Sequence, residues 1–223
     1  MDIIRGDFDR IASLLMEDSD RNDRYHQYLL KRVPSHCENS LDVGCGTGAF
    51  SRLLATRSDR VIALDLSPGM IDVARQRSRN QTNISFEVAD VLKMDFRSQE
   101  FDCIASINTL HHLPMEEVLF KLRKALRMNG KLIIHDLFQS EGLGDFITSA
   151  LAFPSSVGLR LVKTGRLRPP RELRRAWAEH GLNDTYLTMN QVRKICEKLL
   201  PGAQVRKHLL WQYSLTWTKE AAE

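Results

Sequence analysis

The chain has 223 residues, 43% of them hydrophobic and 27% charged, and its formal net charge is +4. This length suits one domain, and no apolar run is long enough for a membrane-spanning helix. The first residues are acidic and lack a signal-peptide core, and the four cysteines show neither metal-ligand nor disulfide spacing. We therefore expect one cytoplasmic domain over residues 1–223, with reduced thiols and without a metal ion.

The chain divides into regions of different pattern. Apolar side chains recur at helical spacing on both sides of the polar stretch 17–23, which predicts two helices at the start. Later segments alternate between strand and helix patterns, and Pro201-Gly202 ends the last predicted helix. The predicted regions are a helical segment (1–40), a ligand-binding half (41–137), an apolar and basic insertion (138–187), and a last helix with a closing strand pair (188–223, strands 204–209 and 212–218).

Residues 41–48, LDVGCGTG, predict a buried strand that ends in a glycine-rich turn, and a helix follows from Ala49. Gly44, Gly46 and Gly48 let the backbone turn tightly and leave no side chain between it and a ligand. Several nucleotide-binding folds use such a turn, so the turn alone does not identify the ligand.

Acidic residues follow the next two predicted strands at informative distances. Asp65 ends the second strand, seventeen residues past Gly48, where a carboxylate can accept both ribose hydroxyls of an adenosine. Asp90 follows the third strand and suits the adenine amino group. Because parallel strands present their carboxyl ends at one edge of the sheet, these residues predict an adenosine site.

A dehydrogenase is the first alternative. A dinucleotide fingerprint has the spacing G-x-G-x-x-G, with the pyrophosphate at the helix N-terminus. Here the spacing is G-x-G-x-G, and Asp42 precedes the first glycine by two residues. A carboxylate there repels a pyrophosphate but suits the ammonium group of a methionine.

The motifs LDVGCGTG, LDLS, an AD after the third strand and FDxIxSxxxLHHL together resemble the class I S-adenosylmethionine-dependent methyltransferases. The similarity covers residues 41–137 and is greatest to the single-domain, small-molecule group that includes the ubiquinone and menaquinone C-methyltransferases. One departure is Met128-Asn129-Gly130, where the family usually has Pro-Gly-Gly; Asn and Gly can make the same turn. The resemblance implies an α/β, Rossmann-like fold: a seven-stranded, mostly parallel sheet with helices on both faces and an antiparallel last strand.

The resemblance also implies S-adenosylmethionine as cofactor, with S-adenosylhomocysteine as product. The glycine turn would line the methionine side, Asp65 would hold the ribose, and Asn108 would lie under the methionine. The expected cofactor residues are Asp42, Gly44, Cys45, Gly46, Gly48, Asp65, Leu66, Met70, Asp90, Val91 and Asn108.

In-line methyl transfer depends mainly on positioning, and what remains for the protein is removal of a proton from the acceptor. The candidates are His111, His112, Asp136 and His180, since histidine titrates near working pH. His135 and Asp136 alternate on the fifth strand, so only one faces the pocket, and we choose Asp136. The open alternatives are that His111 and His112 only shape the cofactor loop and that His180 only complements a helix dipole.

Two segments are candidate lids. In related enzymes an N-terminal segment such as 1–40 often covers the cofactor, through Arg24, Tyr25 and Tyr28 here; the alternative is packing against the sheet edge. Residues 141–162 are apolar, and residues 160–175 hold seven basic residues and one acid. This second segment is a solvated helix start, a lid over an anionic or apolar substrate, or a contact with a membrane surface or nucleic acid.

We predict a methyltransferase that acts on a small-molecule acceptor. The alternatives are an RNA methyltransferase and a regulatory protein that binds the cofactor without turnover. Nucleic acid is disfavoured, because the fourth strand runs into Asn108-Thr109-Leu110-His111 rather than the Asn/Asp-Pro-Pro-aromatic turn usual for amino methylation of bases. The pattern leaves the oligomeric state open.

Overall fold

The computed structural model describes residues 2–15, 23–140, 170–182 and 184–220. Seven strands form one sheet: β1 (Cys37–Val43), β2 (Ser58–Asp65), β3 (Ile84–Val88), β4 (Phe101–Ile107), β5 (Leu126–Leu137), β6 (Gln204–Lys207) and β7 (Gln212–Thr218). Their order is β3-β2-β1-β4-β5-β7-β6. The first five run parallel, whereas β7 is antiparallel to both β5 and β6. The predicted Rossmann-like sheet with an antiparallel last strand is confirmed.

The described helices cover both faces of this sheet. They are α1 (Asp2–Leu15), α2 (Asp23–Leu30), α3 (Ala49–Leu54), α4 (Pro68–Arg77), α5 (Met115–Ala125), α6 (Arg171–His180) and α7 (Met189–Leu199), with a short 3-10 turn at Leu110–His112. Within the described ranges, no helix combines the length and apolarity needed to cross a bilayer.

The central strands are buried on both faces, so their side chains alternate between two apolar clusters rather than between core and solvent. On one face, Leu41 and Ile104 pack in one cluster with Leu119 of α5 and Val192 of α7. On the other face, strand residues such as Ile133 pack with the apolar side chains of α2 and α3. This two-sided burial holds the strands in register and places their carboxyl ends along one edge.

Helix α5 ends earlier than the sequence pattern predicts. We expect it to reach Met128, but it ends at Ala125, and Leu126 already pairs with Phe101 of β4. The backbone then turns at Asn129, whose φ is +62°, before regular pairing begins at Lys131. The Asn-Gly pair therefore turns the chain within β5, and the apolar periodicity of α5 continues past the helix because Leu126 is itself buried.

Strand β6 is also shorter than predicted. It stops at Lys207 rather than at Leu209, because Leu210 and Trp211 adopt positive φ angles of 61° and 55° in a tight connection to β7. The predicted bounds of β7, residues 212–218, are confirmed.

Helix α1 packs on α4 and α6 through Ile11, Ala12 and Leu15. Oδ1 of Asp9 accepts hydrogen bonds from the hydroxyl of Ser67 at 2.5 Å and the backbone N–H of Gly69 at 3.0 Å, at the start of α4. These bonds attach α1 directly beside the carboxyl end of β2.

The predicted insertion is described only in part. The apolar stretch 141–162 and the basic residues up to 169 lie outside the described residues, so the lid and membrane-contact hypotheses for them stay predictions. The described remainder includes α6, which ends at His180 with Gly181 as its C-cap residue.

Candidate active site

A cavity of about 420 Å³ opens at the carboxyl edge of the sheet. It is lined by residues at or just after the carboxyl ends of β1, β2, β3 and β4, including several between Ile107 and Leu113. Helix α1 contributes Ile4, Phe8 and Leu15 to the lining, and α6 contributes Trp177 and His180. Helix α1 therefore covers the cavity as well as packing on α4.

Tyr25 and Tyr28, two of the lid candidates in the N-terminal segment, do not line this cavity. The ring of Tyr25 lies 4.5 Å from that of His135, and the ring of Tyr28 lies 5.2 Å from that of His208. Both tyrosines therefore contact a separate cluster behind the sheet. The side chain of Arg24 is outside the described part.

The glycines of the turn after β1 serve different purposes. A Cβ on Gly44 would lie 2.1 Å from the hydroxyl oxygen of Thr109, and a Cβ on Gly46 would meet nothing within 4 Å; both residues have positive φ and line the cavity. Gly48 also has positive φ, but a Cβ there would lie 2.9 Å from the ring of Phe86. Gly48 is not among the cavity-lining residues, and the close packing of Phe86 explains why glycine is needed at this position.

Asp65 faces the cavity at the end of β2. Its Oδ2 accepts a hydrogen bond from the backbone N–H of Gly46 at 2.8 Å, and its Oδ1 accepts one from the backbone N–H of Ser67 at 2.9 Å. Burial raises the pKa of this carboxyl, while the backbone donors favour its charged form. The two bonds fix the carboxylate plane against the glycine turn.

Asp42 lies beneath the glycine turn and also lines the cavity. The hydroxyl of Ser51 donates to its Oδ2 at 2.6 Å, and its burial raises the pKa to about 7. A cation placed beside this carboxyl would favour its ionised form.

The expected adenine residues lie together on the cavity wall. Leu66, Met70, Asp90 and Val91 all line it, as does Cys45 near the turn. Oδ1 of Asp90 accepts the N–H of Leu92 at 3.0 Å. The ammonium group of Lys121 on α5 donates to the backbone carbonyls of Val91, Leu92 and Met94 and so holds this loop against the sheet.

Asn108 follows β4 with a φ of +52° and lines the cavity. Its backbone N–H donates to the carbonyl of His135 at 2.7 Å. Its side-chain Oδ1 is buried and, among the described residues, has no hydrogen-bond partner. A buried acceptor is costly when unpaired, so this oxygen is suited to a ligand N–H.

At the other end of the cavity, Asp136 supports His111. Oδ1 of Asp136 lies 2.5 Å from Nδ1 of His111, and Oδ2 accepts the backbone N–H of the same histidine at 2.9 Å. A carboxylate accepts hydrogen bonds, so Nδ1 is the donor in this contact and Nε2 faces away from Asp136. Asp136 itself lines a second cavity of about 320 Å³ behind His111.

His135 points to the opposite face of β5 from Asp136. Both of its ring nitrogens are buried without a hydrogen-bond partner in the described part of the chain, and burial lowers its pKa to about 3. The structure thus places Asp136, and not His135, on the side of His111.

Three histidines meet at this end of the cavity with Asp184, a carboxylate that the sequence pattern does not reveal. Nδ1 of His112 lies 3.2 Å from Oδ1 of Asp184, and Nε2 of His180 lies 3.8 Å from the same oxygen. The hydroxyl of Tyr186 donates to Oδ2 of Asp184 at 2.8 Å. Burial, reinforced by His111, lowers the pKa of His112 to about 3.

Asp184 and Tyr186 are the residues that sequence reasoning misses. They lie in a polar connection after α6, where no strand or glycine motif marks them. The only local signal is the spacing of four residues between His180 and Asp184. Their proximity to His111 comes from the packing of α6 beside the carboxyl edge of the sheet.

Comparisons with known proteins agree with this geometry. Residues 41–130 match the family described as "Methyltransferase domain". A malonyl-[acyl-carrier protein] O-methyltransferase from Serratia marcescens is 34% identical over 134 residues, which are 59% of this chain and 49% of that protein. A ubiquinone biosynthesis O-methyltransferase from Coxiella burnetii is 32% identical over 108 residues, 48% of this chain and 46% of that protein. The chain thus spans about half the length of the curated relatives it matches.

Solved structures share the whole fold. The N-methyltransferase NodS from Bradyrhizobium japonicum, in complex with S-adenosylhomocysteine, superposes with a TM-score of 0.65 at 18% identity and covers 98% of this chain and 99% of its own. A complex of Haloferax volcanii Trm112 with a methyltransferase matches with a TM-score of 0.69 at 15% identity, over 96% and 98% of the two chains. At these identities the likeness shows the fold. Within this shared fold, residues 41–130, which run from within β1 to beyond β4, are the part that matches the methyltransferase-domain family.

Proposed function

We propose that this protein transfers the methyl group of S-adenosylmethionine to a small-molecule acceptor in the cavity at the carboxyl edge of the sheet. The observation that supports this most directly is the continuity of that cavity. Asp65 at one end and His111, His112 and His180 at the other line the same space. A bound cofactor and its acceptor can therefore meet within one cavity.

The residues present fit the cofactor. The open side of Gly46 admits a ligand close to the backbone, and the unpaired Oδ1 of Asn108 and the carboxyl of Asp42 suit an ammonium group. The fixed carboxylate of Asp65 suits two vicinal hydroxyls. The cofactor supplies an activated methyl group on a sulfonium, and the protein supplies position and orientation.

The acceptor end is polar and buried. We propose that His111, His112 and His180 contact the acceptor, with Asp136 positioning His111 from behind. The apolar side chains of Phe8 and Trp177 in the same wall would exclude water from the reacting atoms. The names of the sequence relatives, two of which are O-methyltransferases, support a small molecule rather than RNA as acceptor.

We also propose a cytoplasmic location. All four cysteines are free and buried, although Cys37 and Cys103 lie close enough to form a side-chain hydrogen bond. Unpaired thiols are usual where the compartment is reducing.

Calorimetry with S-adenosylhomocysteine tests the cofactor part. We expect one binding site per chain, and Asp65→Asn should weaken binding about 100-fold, since two charge-assisted hydrogen bonds become weaker neutral ones. Asp72→Asn is the matched control, because Asp72 is 77% exposed and its ion pair with Arg75 lies on the surface. Wild-type protein that does not bind the ligand would refute the assignment.

Transfer of a labelled methyl group tests the activity. The acceptors to compare are hydroxylated aromatic acids, amines, acyl-carrier-protein thioesters and bulk RNA, each with wild-type protein and with Asp65→Asn. Labelling of a small molecule by the wild type alone is the expected result. Labelling of RNA alone would contradict the proposed acceptor class, and binding without any labelling would favour a regulatory protein.

A further inference from the structure

The acceptor end of the cavity brings together side chains that ligate metal ions in proteins. One nitrogen of His111, one nitrogen of His112 and one carboxylate oxygen of Asp184 lie within 4.8 Å of one another. All three side chains are nearly buried, at 5%, 6% and 5% exposure. Two imidazoles and one carboxylate are a ligand set that first-row transition metals accept, with further positions left open.

The outer contacts of the cluster have the pattern found around metal-binding histidines. Asp136 holds Nδ1 of His111 and so directs its Nε2 toward Asp184, at 4.0 Å. Asp7 of α1 lies 3.2 Å from Nδ1 of His180 and in the same way directs its Nε2 toward Asp184. Carboxylates at the far nitrogen fix the tautomer and the ring orientation of a ligating histidine.

The surroundings of the Asp184 carboxylate also favour a bound cation. Its carboxylate is buried, and its ion partners among the described residues are three histidines, with neither lysine nor arginine. A buried carboxylate is costly unless a cation compensates it. A divalent ion between Asp184 and the imidazoles would supply that compensation.

We propose that His111, His112 and Asp184 bind a divalent first-row transition metal ion, such as Zn²⁺, next to the acceptor. The sequence shows no metal-ligand spacing because the two histidines precede the aspartate by more than seventy residues. His180 lies beside the three ligands and faces the same carboxylate.

The role of this metal ion in methyl transfer rests on the proposed function, to which it adds the way the acceptor is bound. Three protein ligands leave a coordination position for an acceptor that offers oxygen or sulfur. The ion would favour binding of the acceptor as its anion, which releases one proton to solvent. In the transfer, the bond between the acceptor oxygen or sulfur and the methyl carbon forms as the carbon–sulfonium bond breaks, and the sulfonium sulfur keeps the electron pair as a thioether.

Titration with Co²⁺ and Zn²⁺ tests the site without any activity. Full-length protein is treated with a chelator, and Co²⁺ binding is followed by its visible absorption and Zn²⁺ binding by calorimetry. We expect one ion per chain with a dissociation constant of about 1 µM or lower. Asp184→Asn should weaken binding at least 100-fold, and Asp136→Asn about 10- to 100-fold. The control is His36→Ala, since His36 is 67% exposed beside Asp59 and should leave metal binding unchanged.

X-ray absorption of the wild-type zinc complex provides a test that does not depend on the variants folding. Two imidazoles and at least one oxygen ligand are expected. Wild-type protein that binds neither ion below millimolar concentration, or Asp184→Asn that binds as tightly as wild type, would overturn the proposal. Calorimetry with S-adenosylhomocysteine on the same samples separates the two ideas: loss of metal binding with intact S-adenosylhomocysteine binding refutes only the metal site.

Discussion

The buried carboxyl of Asp42 makes a specific prediction about stability and pH. The side chain is 1% exposed, and Asn would keep its shape and could still accept the hydrogen bond from Ser51. Asp42→Asn therefore removes the ionisation of this group with little change in packing.

The magnitude follows from the shift in pKa. Burial raises the pKa of Asp42 from 3.8 to about 7 in the folded protein. A raised carboxyl pKa stabilises the fold fully below the unfolded value of 3.8, and this contribution is lost as the pH rises through the folded value. Three pKa units correspond to about 4 kcal/mol, which wild type loses between about pH 4 and pH 7 and the variant does not.

The assay is urea unfolding of both proteins at pH 5, 6, 7 and 8 without cofactor. The free energy of unfolding of Asp42→Asn should rise relative to wild type by about 2.5 kcal/mol between pH 5 and pH 8, with most of the rise below pH 7. Asp72→Asn should show no such change, because that side chain is exposed. Parallel curves, or a fall in the stability of Asp42→Asn relative to wild type as the pH rises, would refute the reasoning.

Four other substitutions test the packing around the site. Gly48→Ala should lower the free energy of unfolding, measured in urea, by about 2 kcal/mol, because the positive φ and the ring of Phe86 both oppose a Cβ at this position. Gly46→Ala should mainly weaken the binding of S-adenosylhomocysteine, measured by calorimetry, because a Cβ at Gly46 meets no protein atom within 4 Å. Lys121→Met removes three hydrogen bonds to the loop after β3 and should weaken the same binding about tenfold; unchanged affinity would contradict that role. Asp9→Ala removes the two hydrogen bonds between α1 and the start of α4, and it should speed amide hydrogen exchange in α1. Strand β5 is the unaffected reference.

Much of the cofactor half can be predicted from sequence because its signals are local. A glycine turn after a buried strand, and an acid after the next strand, specify backbone conformation and side-chain placement over a few residues each. Parallel pairing then brings those strand ends to one edge without further information. The seven-stranded sheet and its antiparallel last strand were implied by the family resemblance, not by periodicity, and the strand order comes from the structure.

Element ends are less well determined by the pattern. Helix α5 and strand β5 share a continuous run of buried residues, so apolar spacing alone does not show that the helix stops at Ala125. Gly48 is a similar case: its place in the motif suggests a ligand contact, but only the packed position of Phe86 shows why a side chain is excluded.

Which side chains meet at the His111 end of the cavity is determined by the tertiary structure. The sequence by itself marks His111 and His112 after β4, Asp136 in β5 and His180 near a glycine, each with more than one interpretation. Their convergence on Asp184 depends on where α6 packs against α1 and α4, which is set by apolar contacts between segments far apart in the chain. Such long-range packing leaves no periodic trace near the polar residues it brings together.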